Sequence, residues 1–424
     1  MKRLCGWILL LGLSSFSVGA VEVSGGDIQE SGSNAASLDY SDTLLGNWGG
    51  SRGAMSAHGY DWEIIYKLDL LRDISTPNKK SYGLDNLDIM LTLDGEKIVG
   101  LKGSSALLYV LSNHGSKPAV QGDRLPHGVD NIETPEGANT VKLYQAWLQQ
   151  MFLDESLSVL VGLYDLNSEF YVTDASSMFI QPTFGIGAEM AATGENGPSV
   201  FPVASFAIRV KATTDSGCYL QAATMDGVSG DPNDYQGTHV QFNKGDGALN
   251  VIEAGMPLGV AERSQDSKFV LGLWRYTARF DDLLDPTVKR ISRGYYAMVE
   301  KDLRYQPDSN EARISGFVRA GKNDGDTSQF EMSWSAGLVF SSLVSGRDQD
   351  QLGFAFAQQR NAEKYRAIPG NPQVVNENSL ELTYRYNAMQ GLVLQPMVQY
   401  LLNHSSDPTQ DKSWWLGTRI EAIF

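Results

Sequence analysis

Apolar and polar residues alternate along this chain with a period of two, and this alternation constrains the fold most. In 414–424, Trp414, Leu416 and Ile420 alternate with residues that include Arg419 and Glu421. Successive side chains of a strand point to opposite faces, so one face here is apolar and the other charged. Similar segments lie at 62–70, 204–211, 313–320, 380–387 and 394–402. Each has about ten residues, the length of a tilted membrane strand.

The chain beyond residue 20 offers no apolar run long enough for a transmembrane helix, which needs about 18 residues. In lipid, a chain without spanning helices satisfies its backbone hydrogen bonds only as a closed barrel. A soluble exported β-protein is the competing interpretation, because its strands also alternate. The strand length and the Tyr and Trp residues near strand ends favour the membrane barrel.

We therefore predict an all-β protein, a transmembrane antiparallel up-and-down β-barrel of about 16 strands. The alternation suggests about seventeen strand candidates, but bacterial barrels normally have an even number of strands. The weakest candidate, at 238–255, is therefore discounted. Polar stretches at 113–140 and 167–201 are predicted to be long loops that lie outside the cell or fold into the lumen.

The first residues predict export. Lys2 and Arg3 precede the apolar run 7–13, and small residues end at Ala20, as in a cleavable signal peptide. The predicted organisation is a signal peptide at 1–20, an N-terminal periplasmic segment with a short helix at 21–60, and the barrel at 61–424. The expected location is a bacterial outer membrane, with lipid around the barrel.

Charge and motifs exclude other classes of function. The net charge of −16 argues against a nucleic-acid partner. Outer-membrane hydrolases exist, but we find no Gly-x-Ser-x-Gly and no His-Glu-x-x-His motif, so we expect no enzyme. The five histidines lack ligand spacing, and acidic turns such as Asp324 and Asp326 are explained as solvated loops. We expect no metal and no cofactor.

The polar strand faces are predicted to line a water-filled channel, because a basic side chain facing lipid at the midplane costs about 2–4 kcal/mol. Mixed donors and acceptors there would match sugar hydroxyls. The candidate pore-lining residues are Glu63, Asp69, Arg209, Lys211, Arg275, Arg279, Arg313, Arg319, Glu381, Arg385, Arg419 and Glu421. Asp165, Asn167 and Glu169 follow a strand and could enter the lumen or form a turn.

Residues 45–52, Leu-Gly-Asn-Trp-Gly-Gly-Ser-Arg, resemble the N-terminal signature of the OprB-type carbohydrate-selective porins. Segments 162–170, 395–400 and 417–419 are similar to later parts of that family. The sequence departs from the family at Asn47, where Asp is common, and at 403–405. The resemblance implies a sixteen-stranded porin for diffusion of monosaccharides, glucose being the familiar one.

Some alternatives stay open at this point. Alternation does not separate a sugar porin from a general or organic-anion porin, because side chains in the lumen tune selectivity within one architecture. A homo-oligomer is possible, since both lipid and a neighbouring copy require an apolar outer surface. Trp48 and Arg52 are expected to cap one end of the barrel rather than to contact a solute.

Overall fold

The computed structural model describes residues 40, 42–75, 80–121, 128–135, 137–259, 267–304, 313–344, 346–403 and 412–424. The predicted signal peptide and half of the N-terminal segment therefore lie outside the described residues. A helix at Ser51–Ala57 does lie in that segment, and the first strand begins at Tyr60.

The described chain is built mainly of strands. They are β1 Tyr60–Asp73, β2 Ser81–Asp94, β3 Ser104–Gly115, β4 Thr140–Phe152, β5 Leu157–Tyr164, β6 Ser205–Thr213, β7 Tyr219–Asp226, β8 Ala248–Pro257, β9 Lys268–Tyr276, β10 Phe280–Asp281, β11 Lys289–Arg290, β12 Arg293–Arg304, β13 Arg313–Asn323, β14 Phe330–Ser341, β15 Gln351–Asn361, β16 Asn376–Met389, β17 Leu392–Leu402 and β18 Lys412–Ile423.

All strands except β10 and β11 form one closed antiparallel barrel, and those two form a separate hairpin. β1 pairs with both β2 and β18, which closes the barrel. The sixteen-stranded barrel is confirmed. The decision to discount a strand at 238–255 was wrong, because β8 is a full member of the barrel, paired with β7 and β9.

The connections differ strongly between the two ends of the barrel. One end carries 116–139, 165–204, 227–247, 277–292 and 362–375, whereas the other carries 153–156, 214–218 and 390–391. We call these the long-loop end and the short-turn end. In outer-membrane barrels the long loops face outward from the cell and the short turns face the periplasm.

The helices are short and are not part of the barrel wall. The α-helices are Ser51–Ala57, Gly95–Val99, Pro118–Gln121, Ala188–Ala191 and Glu363–Ala367, and the 3₁₀-helices are Trp48–Gly50, Leu166–Ser168, Ala175–Met178 and Pro182–Phe184. In the ranges that the structure describes, no helix combines the length and the apolar character needed to cross a bilayer.

The N-terminal segment joins the first and last strands at the short-turn end. Arg52 is buried and donates from Nη1 to the Phe424 carbonyl (2.8 Å) and from Nη2 to the Trp62 carbonyl (2.6 Å). Its guanidinium also lies 5.1 Å from the Trp48 ring centroid. Gly50 has a φ of 99°, a backbone conformation that favours glycine, and it directly precedes the helix Ser51–Ala57 that carries Arg52. Trp48 and Arg52 therefore cap this end of the barrel, as expected.

The main hydrophobic core lies inside the barrel. Phe170, Tyr171 and Met190 from the connection 165–204 pack on inward side chains that include Trp274 and Tyr296. Tyr171 and Tyr296 stack with ring centroids 3.9 Å apart. This connection is a loop that folds into the lumen, which is one of the two placements predicted for 167–201.

Candidate functional site in the barrel lumen

The inner loop 165–204 is held by carboxylates of the barrel wall. Three strand glutamates accept hydrogen bonds from its backbone N–H groups: Glu253 on β8 from Tyr171 (2.9 Å), Glu300 on β12 from Asp174 and Ala175 (2.9 and 2.5 Å), and Glu381 on β16 from Ile180 and Gln181 (both 2.8 Å). All three glutamates are buried. Charge-assisted bonds of this kind are about twice as strong as neutral ones. They fix the path of the loop along the wall.

Two arginines reinforce this attachment. Arg319 on β13 donates to the carbonyls of Phe184 and Gly185, the second at 2.8 Å. Arg209 on β6 makes a two-pronged contact with Glu169 at 2.8 and 3.0 Å, and the Lys211 Nζ lies 3.7 Å from the same carboxylate. Both arginines are therefore bonded to the loop and not to water.

Glu189 is a buried carboxylate within the inner loop. It accepts hydrogen bonds from the hydroxyls of Tyr171 (2.9 Å) and Ser333. Burial raises the pKa of Glu189 above its ordinary value. Gly321 on β13 faces this group, and a Cβ there would lie 1.8 Å from the Glu189 Oε1. A side chain at position 321 would therefore displace the Glu189 carboxylate, because the loop approaches the wall so closely.

A second inner segment, 128–135, lies against the opposite part of the wall. Arg419 on β18 contacts Asp69 (2.6 Å), Asp130 (3.4 Å) and the side chain of Asn131 (2.6 Å). Burial and the neighbouring Asp69 raise the pKa of Asp130, although Arg419 opposes this effect. Residues 128–135 of the predicted loop 113–140 therefore enter the lumen, whereas 113–115 and 140 belong to strands of the wall.

The two inner segments meet and form one structure, which we call the collar. The backbone N–H of Asn131 donates to the Ile180 carbonyl at 2.8 Å. The Gln181 side chain reaches the Gly128 carbonyl at 3.5 Å. The collar, residues 128–135 and 165–204, narrows the lumen between its strand anchors.

The predicted pore-lining residues separate into two groups according to exposure. The first group is buried under the collar: Asp69, Arg209, Arg319, Glu381 and Arg419. Their side chains lie inward, as the alternation predicts, but they bind other protein groups. Arg209, for example, keeps only 2% of its side chain exposed. Their role in contacting a solute stays a prediction.

The second group keeps contact with the water of the lumen. Arg385 contacts Glu421 at 2.6 Å and is 27% exposed. Arg313 contacts Asp302 at 3.0 Å and is also partly exposed. Lys211 and Glu63 are half-buried and likewise face inward. Each of these basic groups has an acidic partner.

Two of the predicted positions were wrong. Arg275 lies on the outer face of β9, beside the exposed Leu271 and Leu273, whereas Trp274 and Tyr276 point inward. Because the inward side of β9 packs on the inner loop, both faces of this strand are apolar and the alternation misleads. Arg279 lies beyond the end of β9, where it is exposed and donates to the Lys289 carbonyl (3.3 Å).

Several inward polar residues were missed by the sequence analysis. Lys67 on β1 contacts Asp88 on β2 at 3.2 Å, and the Tyr109 hydroxyl on β3 donates to the same carboxylate at 2.6 Å. The anchors Glu253 and Glu300 were also missed. The alternation could have identified Lys67, since it shares the parity of Glu63 and Asp69.

Asp165, Asn167 and Glu169 enter the lumen at the start of the inner loop. Asp165 accepts from the Tyr144 hydroxyl (2.7 Å) and the Asn167 backbone N–H (2.8 Å), and burial raises its pKa to about 6. Burial also disfavours the charged form of Glu169, but Arg209 and Lys211 outweigh it and lower the pKa of Glu169. Both interpretations hold, because Glu169 bonds to the inward Arg209 while Asp165 caps the single-turn helix Leu166–Ser168.

Metal and cofactor sites were not expected. Within the described ranges, no three His, Cys, Asp or Glu side chains converge as a metal site would require. The acidic turn residues Asp324 and Asp326 are part of a loop network in which Lys364 contacts Asp326 at 2.6 Å. That contact accounts for one of the two carboxylates without a metal.

Comparison with known proteins agrees with this architecture. The chain is 20% identical to Porin B of Pseudomonas aeruginosa, covering 90% of this chain and 91% of that protein. It is 21% identical to the putative porin QuiX of Acinetobacter baylyi, covering 90% and 93%. The fold matches the high-pH structure of Pseudomonas putida OprB with a TM-score of 0.79, at 20% identity, over 91% of this chain and 99% of that one.

The family model of the carbohydrate-selective porins, OprB family, matches residues 79–424, which is most of the barrel. The match begins after the segment 45–52. Together with the closed barrel of sixteen strands, it shows a channel of the bacterial outer membrane. The chain belongs to the OprB family of carbohydrate-selective porins.

Proposed function

We propose that this porin admits neutral monosaccharides such as glucose by passive diffusion through the lumen beside the collar. The observation that carries the proposal is that partly exposed basic groups on the inward face are each paired with a buried carboxylate. Lys67 lies against Asp88, Arg385 against Glu421, and Arg313 against Asp302.

Paired charges leave little net field, and the partly exposed basic member of each pair still presents hydrogen-bond donors. A guanidinium supplies up to five N–H donors and a carboxylate supplies acceptors, which together complement the hydroxyl groups of a sugar. An unpaired ring of one sign would instead favour ions of the opposite charge. The balance of charges in this lumen therefore supports a neutral polyol over an organic anion.

The test is a planar-bilayer and liposome-swelling experiment with the purified full-length protein. We expect liposomes to swell in glucose, and glucose to reduce the ion current in a concentration-dependent way. Sugars and organic anions of similar size should be compared at equal osmolarity. A current that no sugar reduces, combined with strong anion selectivity, would favour the organic-anion porin and overturn the proposal.

A further inference from the structure

A belt of inward polar groups lies next to the collar, and its two basic side chains are partly exposed. Its members, taken around the barrel from β16 to β3, are Arg385, Glu421, Lys67, Asp88 and Tyr109. Measured contacts join neighbours in this belt: Arg385 to Glu421 (2.6 Å), Lys67 to Asp88 (3.2 Å) and Tyr109 to Asp88 (2.6 Å). Lys67 and Glu421 are direct partners in the pairing of β1 with β18.

The position of the belt follows from the strand register. On β1, Lys67 is one inward position away from Asp69, which anchors the collar through Arg419. On β2, Asp88 is one inward position away from Asn86, which accepts a hydrogen bond from the Asn113 side chain; Asn113 in turn donates to the Ile132 carbonyl of the collar. In both cases the step runs toward the short-turn end. A solute that has passed the collar from outside meets the belt next.

The belt differs from the collar anchors in its access to water. Lys67 keeps 24% of its side chain exposed, whereas Arg419 keeps 8%. Tyr109 is half-buried, and its ring meets the Tyr144 ring edge-on with centroids 5.1 Å apart. Asp88 is buried beneath its partners and also accepts from the Asn86 side chain at 2.6 Å. The belt is therefore a pre-formed network whose donors converge on Asp88 and in which Lys67 keeps contact with the lumen.

We propose that Lys67, Asp88 and Tyr109 form a sugar-contacting subsite that determines specificity on the periplasmic side of the collar. The inference rests on the proposed function, since it names residues that recognise the solute admitted there. The Lys67 ammonium has N–H groups left to donate to a sugar hydroxyl, and the Tyr109 hydroxyl, whose proton goes to Asp88, has an oxygen lone pair left to accept from one. Asp88 orients both neighbours and is a positioning residue.

The experiment uses single channels of the full-length protein in planar bilayers, with glucose added to the short-turn side. The variants are Lys67→Met, Tyr109→Phe, Asp88→Asn and the double variant Lys67→Met/Asp88→Asn. Lys102→Met is the matched control, because Lys102 is an exposed residue of the turn between β2 and β3. Heat-modifiable migration of each variant on gels verifies that the barrel has formed.

We expect the glucose concentration that gives half-maximal block to rise about tenfold in Lys67→Met, since losing one charge-assisted hydrogen bond has about this effect. Asp88→Asn should weaken the block and also shift ion selectivity toward anions, because Lys67 loses its counter-charge. The double variant should return ion selectivity to that of the parent while the block stays weak. The double variant therefore distinguishes a loss of sugar contact, which weakens the block, from a change in net charge, which shifts ion selectivity.

The outcomes distinguish this inference from the function on which it rests. A parent protein whose current glucose does not reduce overturns the proposed function. A parent that glucose blocks, with the same half-maximal concentration in Lys67→Met, Tyr109→Phe and the double variant, overturns the subsite alone. Tyr109→Phe is the conservative variant that keeps the test valid where a charge change disturbs folding.

Discussion

Arg419 on β18 and Arg385 on β16 both place a guanidinium on the inward face of the wall, but the two residues have different roles. Arg419 is almost fully covered. It pairs with Asp69 of the wall and also contacts Asp130 of the collar, so it holds the collar to the wall. Arg385 reaches lumen water and contacts one carboxylate, that of Glu421. Both residues occupy inward positions of their strands, so it is the burial and the partners of each guanidinium that decide its role.

Arg419→Ala is expected to destabilise the barrel strongly, since removing one partner of a buried ion pair costs about 3–5 kcal/mol. Arg385→Ala should change stability little but shift ion selectivity toward cations, because Glu421 then lacks its partner. Thermal unfolding in detergent and bilayer reversal potentials measure the two effects. Equal unfolding temperatures for the parent and Arg419→Ala would contradict the assignment of Arg419 as an anchor.

The inner loop is the element on which the width of the passage depends. It contains only single-turn helices, which do not stabilise themselves, so its path is set by the wall. Glu381 is the last of the three glutamate anchors along the loop, and its two oxygens accept from two consecutive backbone N–H groups. A glutamine at this position has only one acceptor oxygen, and its N–H₂ group would face one of the two backbone N–H donors of the loop.

Glu381→Gln is therefore expected to loosen the collar, giving larger and noisier single-channel currents than the parent. Glu363→Gln is the matched control, because Glu363 is exposed on the helix Glu363–Ala367. Conductance histograms at fixed voltage and salt provide the measurement. If both variants gave the parent's conductance and noise, the collar would not depend on the glutamate anchor.

At the scale of the whole molecule, closure of the barrel joins the two ends of the described chain. β1 pairs with β18, and the Phe424 backbone N–H donates to the Ile64 carbonyl at 2.9 Å. Arg52 then bridges the carbonyls of Trp62 and Phe424 and lies over the rings of Tyr40 and Trp48. The segment 45–52 thus secures the seam of the barrel.

Arg52→Met is expected to lower barrel stability by about 1.5–3 kcal/mol, the usual contribution of a hydrogen bond to a charged group. Arg52→Lys should recover only part of this loss, because an ammonium lacks the fork that reaches both carbonyls. Arg360→Met, at an exposed ion pair with Glu331, serves as the control and should have little effect. The unfolding temperature measures all three, and an unchanged value for Arg52→Met would refute the seam role.

Alternation predicted the inward positions of Arg319, Glu381, Arg419 and most other wall charges, because a period of two assigns faces wherever one side is apolar and the other polar. It was wrong at Arg275 because the inner loop makes the inward face of β9 apolar too. It could not place Arg279, since no alternation extends beyond a strand end. Resemblance at segments 45–52 and 162–170 indicated the family without indicating any contact.

By itself, the sequence determined the closed barrel and the two faces of its strands, because both follow from local periodicity and from the need to pair every backbone group in lipid. Only the tertiary structure decided which inward charges meet water. Glu381 lies 201 positions from Ile180, whose N–H it accepts, and no local pattern records that contact. The collar turns Arg209, Arg319 and Arg419 from expected lining into anchors, and leaves the polar belt with Lys67 open to the lumen.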